Sequence, residues 1–248
     1  MASQLALDRI LYLDIETVSQ YQKFEQVPDS MKPLWKQKAG RFAKQLDEEW
    51  TEELAAQLYS EKAALFAEFG KIAVISVGFV IKGEEGYSLK LKSFASLDEM
   101  DVLNGFSDLI TRHYRNPNTQ FLCGHNIRDF DIPFLCRRMI INGMKLPEMI
   151  DVTGKKPWET KHFVDTMELW RFGEFKNYSS LNLLAHVLGV PTPKDDIDGS
   201  DVGRVFWEEN DLERIAVYCE KDVATCVRVL FRLQGQSDIP DDRIHSVK

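Results

Sequence analysis

Arg9-Ile10-Leu11-Tyr12-Leu13-Asp14-Ile15, RILYLDI in one-letter code, is a short β-branched and aromatic run that ends in the acidic triplet Asp14-Ile15-Glu16. That composition predicts a strand over residues 9–15. Residues two apart on a strand point to the same side, so Asp14 and Glu16 present two carboxylates to one spot at its end. From Tyr21 to about Glu68 the chain turns polar and helix-prone, with Trp50, Leu54, Leu58, Leu65 and Phe69 at helical spacing. Pro28 and Pro33 punctuate its beginning and Gly70 its end, which marks residues of about 20–70 as a helical insertion after the first strand.

Two further strands are predicted, Lys71 to Ile81 and Tyr87 to Ala95, joined by a loop of hairpin length with two glycines, Lys82 to Gly86. Ser96 and Glu99 have capping-box spacing for a helix running to about Tyr114, and Asn116-Pro117-Asn118 stops it. Thr119 to Cys123 reads as a buried strand, Gly124-His125-Asn126 as a turn, and Phe130 to Ile141 as a helix closed by Asn142-Gly143. Lys145 to Trp158 reads as a loop and His162 to Thr166 as a last short strand. Helices follow at Ser179 to Val187, Ser200 to Glu208 and Asp211 to about Leu233, then a polar tail. This order describes an α/β chain, a mixed sheet flanked by helices, and with no linker-like segment residues 1–248 read as one domain.

Composition narrows the function. The chain has 248 residues, 31 Lys+Arg against 39 Asp+Glu and a net charge of −8, so a broad basic face for gripping duplexes is excluded. With 44% hydrophobic residues and a mean hydropathy of −0.29, disorder and fibre are excluded too. The longest near-continuous apolar run, Ile72 to Ile81, is about half of what a bilayer-spanning helix needs. The first fifteen residues lack the apolar stretch of a signal peptide, so a cytoplasmic protein that does not engage membranes is expected. Cys123, Cys136, Cys219 and Cys226 form no Cys-x-x-Cys pair, which predicts buried free thiols in apolar surroundings. No P-loop, Gly-x-Ser-x-Gly or His-Glu-x-x-His signature is present, so NTPase, serine hydrolase and zinc protease lack their marks. Asp196-Ile197-Asp198-Gly199 is no calcium loop, because aligning Gly199 with the required glycine places Lys194 and Val205 at ligand positions. Asn177-Tyr178-Ser179 is a glycosylation sequon of no consequence without secretion.

More acids join the first pair by position. Asp131 follows Phe130 at a helix start, where the helix dipole alone would also favour an acid, and Asp129 competes with it. Tyr218 and Asp222, in Tyr218-Cys219-Glu220-Lys221-Asp222, share a helix face beside Ile215, Thr225 and Val229. If Asp14, Glu16, Asp131 and Asp222 converge, their charges repel unless a cation intervenes. Hard oxygen ligands suit Mg²⁺ or Mn²⁺, and two such ions about 4 Å apart clamp the attacking and leaving oxygens of an in-line phosphoryl transfer. A phenol with a reference pKa of about 10 is a poor base, so Tyr218 is assigned to orienting the nucleophile.

Asp14-Ile15-Glu16-Thr17, the stretch Gly124-His125-Asn126-Ile127-Arg128-Asp129-Phe130-Asp131, and Tyr218-Cys219-Glu220-Lys221-Asp222 together resemble the three motifs of the DEDDy 3′→5′ exonucleases. The resemblance is to the proofreading exonuclease domain of family-B DNA polymerases and its stand-alone relatives. It implies a ribonuclease-H-like fold and metal-dependent release of nucleoside 5′-monophosphates from the 3′ end of single-stranded DNA. It also implies two ions, Mg²⁺ or Mn²⁺, on Asp14, Glu16, Asp131 and Asp222, with Tyr218 positioning water. Asp131 is preferred to Asp129 because the motif places its acid directly after the aromatic, here Phe130. Thr17, Asn126 and Phe130 are candidate contacts to the terminal nucleotide, against structural roles in a turn or the core. Arg128, Arg137, Arg138, Lys155, Lys156 and Lys161 either track phosphates or are solvated surface. Asp165 is either an acid supporting the ligands or an edge-strand carboxylate, and His125 is expected to serve the turn. Two rival readings remain: a 3′ exoribonuclease, and a non-catalytic nucleic-acid-binding module on the same fold.

Overall fold

The computed structural model describes residues 5–47, 49–174, 178–192 and 196–247. Asn177 of the sequon, and Lys194 and Asp195 of the acidic loop, lie outside the described residues. Six strands form one mixed sheet in the order β5-β4-β1-β2-β3-β6. Strand β1 (Ile10–Ser19) pairs antiparallel with β2 (Gly70–Gly83) and parallel with β4 (Phe121–Gly124). Strand β3 (Gly86–Ala95) pairs antiparallel with β2, β5 (Phe163–Asp165) parallel with β4, and β6 (Ile244–Ser246) parallel with β3.

β1 runs four residues beyond the expected end at Ile15, because β2 continues to pair with it as far as Ser19↔Gly70. Its register is regular through Asp14↔Ser76 and Glu16↔Val74, then slips between Glu16 and Thr17. The β2–β3 connection is tighter than expected: Gly83 pairs with Gly86, leaving only Glu84-Glu85 as the turn.

Alternation along β1 sorts the core into two layers. Leu11, Leu13 and Ile15 face α3 (Glu99–His113) and α4 (Asp131–Ile141), where they meet Phe106, Ile110, Phe134 and Leu135. Ile10 and Tyr12 face α8 (Leu212–Leu233), whose Val223, Val227, Leu230 and Phe231 cover the other side. Each such side chain, fully buried, contributes roughly 1.5–3 kcal/mol. Gly78, opposite Tyr12, lets α8 lie close: a Cβ there would meet Val223 Cγ1 at 2.8 Å. Polar links also fix α8, since Glu220 accepts from Ser93 Oγ at 2.8 Å and Ser246 Oγ at 3.0 Å.

The segment between β1 and β2 is helical, as expected, with α1 (Lys32–Leu46) and α2 (Glu52–Lys62). It has a core of its own around Trp35, whose Nε1 donates to Ala55 O at 2.8 Å and whose ring meets Tyr59 and Phe69 edge-on. The expected stripe is only partly buried: Leu58 and Phe69 are, while Trp50 and Leu65 are exposed. Thr51 caps α2 by accepting from Leu54 N, so Trp50 precedes the helix.

Several local expectations are corrected. The Ser96/Glu99 box does not form: Asp98 caps α3 by accepting from Met100 N, which frees Glu99 for a buried tertiary pairing. A short helix absent from the expectation, α5 (Thr166–Arg171), follows β5. Asp165 caps it, and Asp165 with Glu168 three residues on is the sequence signal that would have found it. α6 (Leu181–Leu188) closes at Gly189 with φ 66°. α7 is only Val202–Arg204 and widens into a π turn, Val205–Glu209, which keeps both Val205 and Phe206 buried. The polar tail contributes β6.

Candidate active site

Asp14 and Glu16 leave β1 on the face covered by α8, before the register slip, so both carboxylates point the same way. From α8, Asp222 acts on both carboxyls and Tyr218 stands close enough to feel all three acids. Asp131 arrives from the opposite layer at the first turn of α4, through the β4–α4 connection. That connection is tightly built. A Cβ on Gly124 would lie 2.9 Å from Leu13 O, and Asn126 adopts a left-handed φ of 63°. Asp165 holds it: Oδ1 accepts from Asn126 N at 3.0 Å and Oδ2 from Arg128 N at 3.3 Å, while Oδ1 also takes the first N–H groups of α5. Asp165, at the end of edge strand β5, therefore orders the loop that delivers Asp131.

The electrostatics show that these acids converge. Burial raises the Asp14 carboxyl well above its ordinary range, and Asp131, Glu16 and Asp222 push it further. Burial likewise raises Glu16, reinforced by Asp222 and Asp131. Asp131 is pushed up to about 7, mainly by burial, with N–H groups of its own backbone and of Ile15 opposing and Asp165 adding to the rise. Asp131 is 3% exposed whereas Asp129 is exposed, so only the former can belong to this cluster. The Tyr218 phenol is also raised, by burial, by Asp222, Glu16 and Asp14, and by its hydrogen bond to Asp222. It stays protonated at neutral pH and can donate but not abstract a proton.

Cys219 corrects the expectation of an apolar setting for the cysteines. Its thiol donates to Asp14, with Sγ 3.4 Å from Oδ2, and the ligand atoms of Asp14, Glu16 and Cys219 lie within 4.8 Å of one another. Sitting one residue past Tyr218, it turns under the helix toward β1. All four cysteines are free; Cys123, Cys219 and Cys226 are buried and Cys136 is partly so.

The donor set fits divalent cations. The strongest influences on Asp14 and Glu16, after burial itself, are other acids, an arrangement that costs free energy until positive charge enters. Carboxylate oxygens are the hard ligands that Mg²⁺ and Mn²⁺ take.

The remaining candidates divide. Thr17 Oγ1 donates to Ala64 O at 2.8 Å, tying the end of the acidic strand to the insertion. Phe130 is half-buried, its ring 5.5 Å from Phe134. His125 serves the turn, bridging Thr166 Oγ1 at 2.9 Å and Ser179 O at 2.8 Å. Two arginines considered for phosphates are structural. Arg138 is buried against Glu99, and Arg128 is spent on Thr160, the Phe163 carbonyl and Glu168. Arg137, Lys155, Lys156 and Lys161 are on the surface. A cleft of about 360 Å³ opens beside Tyr218, with Lys221, Arg214 and Asp196 on its walls.

A family model described as a predicted 3′-5′ exonuclease related to the exonuclease domain of PolB matches residues 65–242. The chain belongs to this family. The matched stretch of this PolB-type exonuclease holds Asp131, Tyr218 and Asp222, while Asp14 and Glu16 lie outside it and join through the pairing of β1 with β2. Among solved structures, the family B DNA polymerase from the hyperthermophilic archaeon Pyrobaculum calidifontis matches with a TM-score of 0.54 at 16% identity. The alignment covers 90% of this chain and 24% of the polymerase, so the chain spans about a quarter of that protein's length and shares its exonuclease-like fold. No curated protein matches. Among the described residues, no helix is long and apolar enough to cross a membrane.

Proposed function

We propose that this PolB-type exonuclease hydrolyses the terminal phosphodiester at the 3′ end of single-stranded DNA and releases nucleoside 5′-monophosphates. The reading treats the β-sheet and its helices as one exonuclease domain, with residues of about 20–70 inserted in it. The observation that supports it best is the convergence of four mutually repelling carboxylates, Glu16 and Asp131 buried and Asp14 and Asp222 half-buried, beside a protonated tyrosine. Asp14, Glu16, Asp131 and Asp222 would hold two divalent ions, Mg²⁺ or Mn²⁺. Bound there, the ions supply Lewis acidity, lowering the pKa of water and offsetting the charge that builds on the phosphate.

The chain's own groups do the positioning. Asp165 and the β4–α4 turn fix where Asp131 stands. Tyr218, its single O–H given to Asp222, presents its phenol oxygen to accept a hydrogen bond from the attacking water and so orients it for in-line approach to phosphorus. As the new P–O bond forms, the bond from phosphorus to the 3′ oxygen of the penultimate nucleotide breaks. The shortened strand leaves with a 3′ hydroxyl and the freed nucleotide with a 5′ phosphate. Thr17, Asn126 and Phe130 border the acids along their own strand and turn, where a terminal sugar and base would lie.

The test is a time course with a 5′-labelled single-stranded DNA oligomer in Mn²⁺, in Mg²⁺ and in EDTA, with Asp14→Ala alongside. The expected result is a ladder shortening from the 3′ end that vanishes with chelator and with the variant. Intact DNA beside a degraded RNA of matched sequence would replace the DNA reading with the exoribonuclease one. Both oligomers intact, with retained 3′-end binding, would favour the binding module.

A further inference from the structure

We propose that the outer face of α1 is a docking track for the single-stranded DNA that trails the 3′ end, an inference that rests on the exonuclease reading above. Charge is the first observation. The chain carries a net −8, yet α1 has five cations, Lys32, Lys36, Lys38, Arg41 and Lys44, and no acid. Lys32 and Lys36 are answered by Asp29 and Glu52. Lys38, Arg41 and Lys44 make no ion pair among the described residues. They recur every third position, Arg41 and Lys44 exposed on the side away from buried Trp35, Ala39 and Ala43 and Lys38 half-buried at the edge of that side.

Aromatic surface accompanies these cations. Lys38 Nζ lies 3.7 Å from the centre of the half-buried Phe66 ring, and Trp50, 41% exposed, packs beside Gly40. Cations alternating with accessible rings suit a strand whose phosphates and bases both need partners, as duplex DNA does not. Location is the third observation. Ala64 accepts the Thr17 hydroxyl directly after the acidic pair, and only Leu65, 52% exposed, separates Ala64 from Phe66. The short stretch from Ala64 to the Phe66 ring thus links the end of the acidic strand to Lys38 on α1.

The experiment compares wild type with the triple variant Lys38→Glu, Arg41→Glu, Lys44→Glu. Fluorescence anisotropy in EDTA reads binding of a fluorescein-labelled 20-nucleotide DNA, and cleavage in Mg²⁺ reads KM and kcat. Expected are about tenfold or weaker binding at 50 mM salt, and a log–log salt slope shallower by about 2, from three contacts at about 0.7 each on single strands. KM should rise with kcat kept, and the loss should shrink on a four-nucleotide oligomer. The triple glutamine variant, checked by circular dichroism, decides if the glutamate variant does not fold. Equal affinity and equal salt slope in wild type and variant would overturn the track, as would failure of wild type to bind the 20-mer. Wild-type binding lost in the variant without any cleavage would sustain the track and sink the exonuclease reading instead.

Discussion

Glu99→Gln should be among the most damaging single changes outside the acidic cluster. Glu99 Oε1 accepts from Ile72 N and Arg138 Nε, both at 2.8 Å, and Oε2 accepts from Arg138 Nη2 at 2.6 Å and Asn142 Nδ2 at 2.9 Å. Arg138 also donates to Ala67 O and Gln20 Oε1, so this one pair joins β2, α3, α4 and both ends of the insertion. The side chains are 5% and 7% exposed, which leaves water no access to either charge. Glutamine keeps the shape but removes the charge and places an N–H₂ against existing donors. Stranding a buried cation in this way costs about 3–5 kcal/mol. For a chain of this size that lowers Tm by roughly 6–20 °C. Thermal unfolding followed by circular dichroism gives the value directly. A double variant, Glu99→Gln with Arg138→Met, should recover much of the loss, because it removes the stranded cation while the new amide oxygen can still accept from Ile72 N. A drop under about 2 °C in the single variant, or a double variant as unstable as two independent losses, would refute the reasoning.

Further tests bear on the site itself. Asp14→Ala and Asp222→Ala should abolish cleavage, whereas Tyr218→Phe should slow it about 100-fold while leaving metal binding intact, as read by calorimetry with Mn²⁺. Equal and total loss in all three would mean the phenol does more than orient water. Stability without metal should fall as pH rises. Asp14, Glu16 and Asp131 have native pKa values raised above their unfolded ones, so the folded chain holds extra protons above the ordinary carboxylate range, and that contribution is lost as pH climbs through the raised values, about 7 for Asp131. Metal replaces those protons, so the gain in Tm from Mn²⁺ over EDTA should be larger at pH 8 than at pH 6, and an equal gain would contradict the site. Gly78→Ala should cost about 1–3 kcal/mol by forcing α8 off the sheet, with activity falling alongside; urea unfolding at unchanged activity would show that α8 tolerates the shift.

What the sequence made legible is what depends on short-range geometry. Two-residue periodicity put Asp14 and Glu16 on one face, four-residue periodicity put Tyr218 over Asp222, and both are observed. What it hid are partners brought together by tertiary contact. Glu99 had the spacing of a helix cap, and Arg138 looked like a surface cation. Neither residue carries a local mark of the other, 39 positions away. Cys219 was hidden for the same reason, its partner lying 205 residues back on β1. β6 escaped because a three-residue edge strand has no period to read, and its pairing with β3 is supplied by the far end of the chain.

The acidic pair shows how narrow the legible margin is. The β1–β2 register slips between Glu16 and Thr17, one residue past the second carboxylate. Because side chains alternate, the same slip placed between Asp14 and Glu16 would turn one of them toward α3 and α4, into the layer of Leu13 and Phe134. The pair would then be split by the sheet although its spelling is unchanged. Its position after Glu16 instead leaves both acids under α8 and sends Thr17 to Ala64, where the insertion begins to pack. One irregularity in one strand thus sets two things at once: which face receives the acidic oxygens, and where the segment carrying α1 is anchored relative to them.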